Sequence, residues 1–465
     1  MYSYLVKLIV VLSNLVLVVF SAIWALPPAH AHGIDPRHEL APTRDADGTL
    51  RPAPDWSIDL TGYADLQFAW FDFGPNQNRQ GGAQKDSRLV FDTTRFVLEL
   101  EGTLPMGLEF ESEIEVEHHG SGASLELEFE EFGEFETEVE SGGEVVLEEI
   151  YLRKTLGPIG LQVGRFYLGV GLLSEINRPS EYLATIRPES ETVVLPAVWH
   201  EIGFQADAQL GPVKLTAQIV NGLDSTGFSS QRWVASGHQL RFELVSASDL
   251  AFVLRADWEA AEGVKLGVSA YYGNTSRNRP KPDLVLDCDS PDDGEVASCG
   301  YVSAAVTLVD FHFQLQLDPL FAQGVVLWGN LGNANAVSER NARLSNNLGV
   351  LRSPVAREAF FAWAELGVDL AEWLCLPEGY HLEPYVRFDY YDTMFATSDS
   401  TFDNPRFARA VYTAGISWAY GPLVFAKLDI SHRDLAAFVD PTPQDETSSE
   451  LRDETTVRIS TGFGF

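Results

Sequence analysis

From Trp56 onward, apolar residues return at every second position in run after run, and the connections between the runs alternate between very short and very long. That pairing limits the fold more than any composition figure does. In residues 57–72, Ile58, Leu60, Gly62, Ala64, Leu66, Phe68 and Trp70 share one face, with Asp59, Thr61, Asp65 and Gln67 on the other, which is the two-residue period of a strand. Short turns fall at 105–107, 157–160, 211–212, 259–263, 318–324, 376–379 and 420–422. Longer loops fall at 73–90, 118–143, 167–199, 222–237, 274–300, 333–357, 395–407 and 434–454. Seven turns and eight loops predict about sixteen strands, the count being open by two because 239–258 is long for a single strand.

Alternation alone would also suit a soluble sandwich, whose polar face meets water. A closed sheet of sixteen strands, however, leaves a lumen too wide for side chains to fill. The polar face, with Arg95, Arg241, Arg255, Lys265, Arg387, Lys427 and Arg458, must then look inward to water, and the apolar face outward to lipid. Arg165 breaks the rule by sharing a face with Leu161 and Val163, and is expected to snorkel or to sit at a bend. The fold predicted for 56–465 is all-β: a transmembrane antiparallel barrel with short periplasmic turns and long extracellular loops, in the outer membrane of a Gram-negative bacterium among its lipid and lipopolysaccharide.

The flanking segments agree. Residues 1–31 carry Lys7 as their only charge, an apolar run over 8–25 and Ala29-His30-Ala31, which reads as a signal peptide; a membrane anchor is the alternative. Residues 32–55, rich in Pro, Ala and charge, read as a flexible periplasmic tail. The mean hydropathy of −0.05 does not suit a helical membrane bundle, and the formal charge of −35 makes nucleic acid an unsuitable partner. In 455–465, Val457, Ile459, Phe463 and Phe465 share a face opposite Arg458. Outer-membrane proteins characteristically end on such an aromatic strand, and Phe465 is expected to be the signal that the assembly machinery reads.

The longest purposeful excursion is 167–199. It follows the hairpin Tyr151-Leu152-Arg153-Lys154, Gly157-Pro158-Ile159-Gly160, Leu161 to Phe166, and it carries Glu175, Arg178, Glu181, Arg187, Glu189 and Glu191 beside Tyr182, Leu183, Ile186, Val193, Val194 and Leu195. Such a loop has apolar groups to pack and charges suited to a polar lumen, so it is expected to narrow the pore. Gly164-Arg165-Phe166, Gly169 to Gly171, Asn177-Arg178-Pro179 and Arg187-Pro188-Glu189-Ser190-Glu191-Thr192 through Trp199-His200-Glu201-Ile202-Gly203 resemble outer-membrane porins of the phosphate-selective O/P type. The resemblance spans about fifty residues. It implies a homotrimeric channel for small ionic solutes, with phosphate as the family's substrate.

The charge pattern departs from that family. Residues 96–152 hold 18 Glu and no Asp, Lys or Arg, and Glu109, Glu111, Glu113, Glu115 and Glu117 take every second position. On a strand these carboxylates stand about 7 Å apart on one face, opposite Leu108, Phe110, Ile114 and Val116. The row is therefore expected to line the lumen with Glu175, Arg178, Glu181, Arg187, Glu189, Glu191, Arg95, Arg255, Arg387 and Arg458, and to favour cations. A solvated acidic face is the plain reading of the row. No cofactor is expected; calcium held weakly there, or by Asp287, Asp289, Asp292, Asp293 and Glu295, which otherwise read as a solvated loop tip, is the alternative. His118-His119 could hold a transition metal.

Cys288 and Cys299 bracket that second acidic loop and are expected to form a disulfide, with Cys375 in a turn on the other side of the membrane. Peptide mapping without reduction should recover Cys288 joined to Cys299; Cys375 joined to either would overturn the turn and loop assignment. No G-x-S-x-G, P-loop or H-E-x-x-H motif occurs. Ser431-His432 and Asp310 with His312 are the fragments from which a catalytic site could be imagined; lumen lining is the plainer reading, and no enzyme is expected. A non-conducting structural or adhesive barrel is the alternative to a passive diffusion channel.

Overall fold

The computed structural model describes residues 56–73, 86–118, 125–131, 134–139, 144–239, 245–278, 302–342, 353–398, 401–404, 407–435 and 453–465. The expected signal peptide and tail, His119, Arg241, the 287–295 carboxylates and the pair Cys288 and Cys299 lie outside them. The strands are β1 (Ser57–Phe73), β2 (Asp86–Leu104), β3 (Leu108–Glu117), β4 (Leu125–Glu131), β5 (Glu134–Val139), β6 (Glu144–Leu156), β7 (Ile159–Tyr167), β8 (His200–Leu210), β9 (Val213–Asn221) and β10 (Leu250–Ala261). After them come β11 (Val264–Asn274), β12 (Ala305–Leu317), β13 (Leu320–Leu331), β14 (Glu358–Val368), β15 (Tyr380–Ala396), β16 (Ala408–Tyr420), β17 (Val424–Leu435) and β18 (Asp453–Gly464). Two short helices, α1 (Glu189–Val194) and α2 (Ala334–Asn341), lie in the connections.

Among the described residues, sixteen of these strands close into one antiparallel barrel, in which each strand pairs with its neighbour in the chain. β4 and β5 form a separate two-stranded sheet, so β3 pairs directly with β6. β1 pairs with β18, and the backbone of Gly62 exchanges hydrogen bonds of 3.1 and 3.0 Å with that of Phe465, so the barrel itself has no open edge. All seven short connections are present, and within the long 239–258 segment the strand begins at Leu250, the described residues 245–249 before it being non-strand. At the tightest turns Gly157 and Gly211 both take φ +62, which costs glycine nothing.

Outward positions are apolar and exposed, as with Leu60, Phe91, Phe204, Phe252 and Leu254. No soluble protein leaves a belt of that kind open to water. Inward positions depart from expectation. Near the turn end they are polar, but at the loop ends of β9 to β14 they are Val220, Ala251, Val253, Tyr271, Val306, Leu308, Leu327 and Phe361, all buried. These pack against Leu168, Val170, Leu172, Leu195, Trp199, Phe228 and Trp233 from the loops and Val337 of α2. That half of the outer lumen is a packed core and not a water-filled space. The cause is visible in β10, where Leu250-Ala251-Phe252-Val253-Leu254 is apolar on both faces, one meeting lipid and the other the folded loops.

β7 bends where the alternation falters. Gly164 sits at φ +140, and a Cβ there would lie 2.2 Å from the carbonyl oxygen of Ile150 and 2.6 Å from the Cα of Tyr151. Arg165, next to this bend, is half-buried opposite Ile150 and Ile202. Gly164→Val should therefore cost roughly 2 to 4 kcal/mol. Measured by the heat-dependent shift in electrophoretic mobility that stable barrels give, the variant should convert to the unfolded band at a clearly lower temperature; an unchanged transition would refute the close approach.

Candidate functional site

Residues 168–199, between β7 and β8, cross the lumen and are fastened to the wall strand by strand. An irregular segment inside a barrel needs partners for its own N–H and C=O groups, and inward-facing wall side chains supply them. Gly169 N donates to Gln218 (3.0 Å), Gly171 N to Asp310 (3.0 Å), Leu183 N to Glu365 (2.9 Å), Thr185 N to Asp429 (2.8 Å) and Ser190 N to Asp389 (3.1 Å). In the other direction Arg255 donates to Gly171 O (2.7 Å), Arg95 to Asn177 O (2.8 Å), Arg387 to Ile186 O (2.7 Å) and Gln67 to Thr185 O (2.8 Å). Lys427, 3% exposed, reaches the carbonyls of Pro179, Tyr182 (2.5 Å) and Ala184 (3.1 Å) and lies 4.4 Å from the centre of the Tyr182 ring.

Several residues singled out from sequence therefore hold the loop. Arg255, Arg387 and Arg95 are buried anchors, and Arg458, also buried, donates to Ser431 (3.3 Å) and lies over the Phe71 ring. Glu191 is 1% exposed and accepts from Leu172 N, Leu173 N and the Trp363 indole at 2.9, 3.0 and 2.7 Å; burial pushes its carboxyl up to about 7 despite those donors. Glu189 is half-buried, which raises its carboxyl, yet the Arg433 guanidinium and the Tyr391 hydroxyl hold it down at about 2. Glu175 pairs with Arg255 (2.9 Å) and Lys265, Arg178 with Glu99, and Arg187 bonds Asn177. Glu181 receives the Arg178 N–H (2.8 Å).

The acidic row faces inward, as its alternation requires, and the neighbouring strands enlarge it. Across β2 and β3, Glu99 stands opposite Glu113 and Glu101 opposite Glu111; across β3 and β6, Glu113 stands opposite Glu149. A bulge between Glu113 and Ile114 lets two consecutive residues, Glu148 and Glu149, both turn inside. Strict alternation would send one of them to lipid, so this pair was hidden from a two-residue reading. The row changes character along its length: Glu101 is exposed and Glu109 46% exposed near the turn end, whereas Glu113, Glu115 and Glu148 are buried. There Tyr167 donates to Glu148 (2.6 Å) and also meets Glu113 (2.9 Å), Asn177 donates to Tyr167 (2.9 Å), and Arg95 pairs with Glu115. Carboxylate oxygens of Glu111, Glu113 and Glu149 lie within 4.8 Å of one another, close enough to share one cation.

Below the crossing loop, a cavity of about 1030 Å³ opens toward the turns and includes Glu175, Glu181, Glu259, Glu262 and Glu383 in its lining, with Lys265 and His381. Of the imagined catalytic fragments, Asp310 and His312 meet, whereas Ser431 and His432 part. Ser431 faces inward and His432 outward. His312 is gripped by Asp310 (2.7 Å) and Asp257 (2.9 Å), and the nearby Ser269 hydroxyl bonds Asp310, not the imidazole. His118 bonds Asp92 (2.6 Å), and Cys375 is a free, exposed thiol.

No family model matches the sequence. A curated "Uncharacterized protein" of Aquifex aeolicus (strain VF5) is 27% identical over 219 residues, which is 46% of this chain and 44% of that one, so the chain spans less than half of its relative's length. Among solved structures, a loop L8 deletion mutant of OmpT, an outer membrane protein of Vibrio cholerae, aligns with a TM-score of 0.49 at 7% identity, covering 88% of this chain and 100% of that one. OmpF of Salmonella typhi gives 0.49 at 12% identity over 88% and 97% of the chains. An anion-selective porin from Comamonas acidovorans gives 0.48 at 9% over 88% and 100%. The lipid-facing belt and the closure of sixteen antiparallel strands identify the class on physical grounds. The chain is an outer-membrane β-barrel.

Proposed function

We propose that this barrel is a passive diffusion channel, a porin for small hydrophilic solutes and ions, with a preference for cations. The observation that carries the reading is the carboxylate wall of β2, β3 and β6, open to solvent toward the turns and accompanied by a vestibule lined with five more glutamates. A fixed charge beside a low-dielectric wall acts on a passing ion more strongly than in bulk water, and strand arginines that could offset it are spent on the loop backbone. The phosphate preference that the sequence resemblance implies therefore gives way to cations. The protein works without catalysis, as a homotrimer, with Phe465 read by the assembly machinery.

A second reading is supported by the buried layer of Glu113, Glu115, Glu148, Arg95 and Asn177 and by the packed outer half: a barrel that does not conduct and serves as a structural or adhesive protein. Planar-bilayer recording separates the two. Stepwise currents with a positive cation selectivity support the channel, and a heat-shiftable, folded but silent barrel supports the second reading. Crosslinking in mild detergent should give trimers; monomers alone would refute the oligomer.

A further inference from the structure

Six of the seven short connections are two or three residues long, but the one between β14 and β15 runs over residues 369–379 and has a structure of its own. Leu370 N donates to Leu382 O (2.9 Å), which carries the pairing of β14 with β15 past the strand end. The two-residue period that points Leu366 and Val386 at lipid therefore also points Leu370 there. From Leu370 the chain makes one helical turn: Leu374 N donates to Leu370 O (3.0 Å), Cys375 N to Glu372 O (3.1 Å) and Leu376 N to Ala371 O (2.9 Å), and Cys375 at φ +53 closes it as a Schellman cap. Residues three and four apart share one side of such a turn, so Trp373 and Leu374 follow Leu370 onto the lipid side, where they are 72% and 53% exposed. Asp369 fixes the base: its N–H donates to Pro319 O (2.8 Å), and its carboxylate accepts from Ala371 N (2.9 Å) and lies 2.7 Å from His381 Nδ1. On the adjoining outer wall the Tyr380 ring meets those of Tyr420 and Trp418, with centroids 4.7 and 6.0 Å apart. Amphipathic rings of this kind gather at the level of a membrane–water boundary.

We infer that the connection 369–379 is a membrane-surface anchor, whose Trp373 and Leu374 enter the boundary between headgroups and acyl chains of the turn-side leaflet, so that the partner of this surface is phospholipid. A turn pinned at its base and capped at its end cannot fold these two side chains away. An exposed apolar pair continuous with a lipid-facing belt is covered by what covers the belt. Indole, with an apolar body and one N–H to satisfy, suits that depth. Glu372 and Glu378, both exposed, flank the pair. Their charge repels anionic lipid, so the surface fits zwitterionic headgroups and holds by apolar contact.

The test compares the full-length barrel with W373F, each reconstituted in phosphatidylcholine vesicles with and without bromine on the acyl chains. Subtracting the two emission spectra isolates Trp373 from the other tryptophans, and the exposed position leaves the fold intact, as heat-dependent mobility checks. No conductance is needed, so the result is independent of the channel reading. The expected difference spectrum is blue-shifted from that of an indole in water, quenched at least twofold by brominated chains and hardly at all by aqueous acrylamide. A difference spectrum like that of indole in water, quenched by acrylamide and indifferent to brominated chains, would overturn the anchor and leave the pair exposed for a protein partner on that side of the membrane.

Discussion

Neutralising the open end of the acidic wall, as Glu101→Gln, Glu109→Gln and Glu111→Gln together, should take the channel from clear cation preference to nearly none. At this end Glu101 is exposed and Glu109 and Glu111 are half-buried, while Glu113 and Glu115 are buried. Glutamine keeps the size of each side chain and the oxygen that the Tyr151 hydroxyl bonds on Glu111. Like charges facing each other across β2 and β3, such as Glu101 and Glu111, repel, so the triple variant should fold at least as well as the parent. If each fixed charge is worth about 1 kcal/mol to a passing cation, its loss changes local ion concentration roughly fivefold. The reversal potential in a tenfold salt gradient should move most of the way to zero. An unchanged reversal potential would mean that selectivity is set elsewhere, by the vestibule or by Arg178 and Arg187.

Lys427→Met should have the larger effect on conductance. The ammonium group holds three carbonyls of the crossing segment, at Pro179, Tyr182 and Ala184, and sits against the Tyr182 ring. Methionine fills similar volume but donates nothing, so three buried acceptors lose their partner and Asp65 and Asp429 lose a nearby cation. Losing such a hub costs roughly 3 to 5 kcal/mol, most of it local to residues 179–184. The expected recording is a larger and noisier current, severalfold above the parent, with the barrel still heat-shiftable. Quiet currents of parental size would show that the remaining anchors suffice.

Wall and lumen are encoded differently in the sequence. Strand alternation and turn length report on which face meets lipid, because lipid is the same everywhere around the barrel; hence the sixteen strands and seven turns were legible. Loop placement inside the lumen depends on contacts hundreds of residues apart, such as Thr185 with Asp429, and no local period encodes those. Arg255 and Arg387 read from alternation as path-lining charges, and their inward direction was right, but the backbone they serve could not be seen. Glu148 and Glu149 were missed as a pair because a bulge breaks the period on which the reading relied. The packed outer half was missed for a related reason: an apolar run such as 250–254 looks the same whether its second face meets lipid or a folded loop.

The N–H of Thr185 is held by Asp429 on β17 and its carbonyl by Gln67 on β1, and between those two strands stands β18 alone. The first and last strands of any barrel meet at a seam joined late, where hydrogen bonds between chain ends are all that resist sideways parting. Here a single residue of the crossing segment straddles that seam from within. The segment that narrows the lumen therefore also acts as a clasp, and loosening it should ease lateral opening of the wall between β1 and β18.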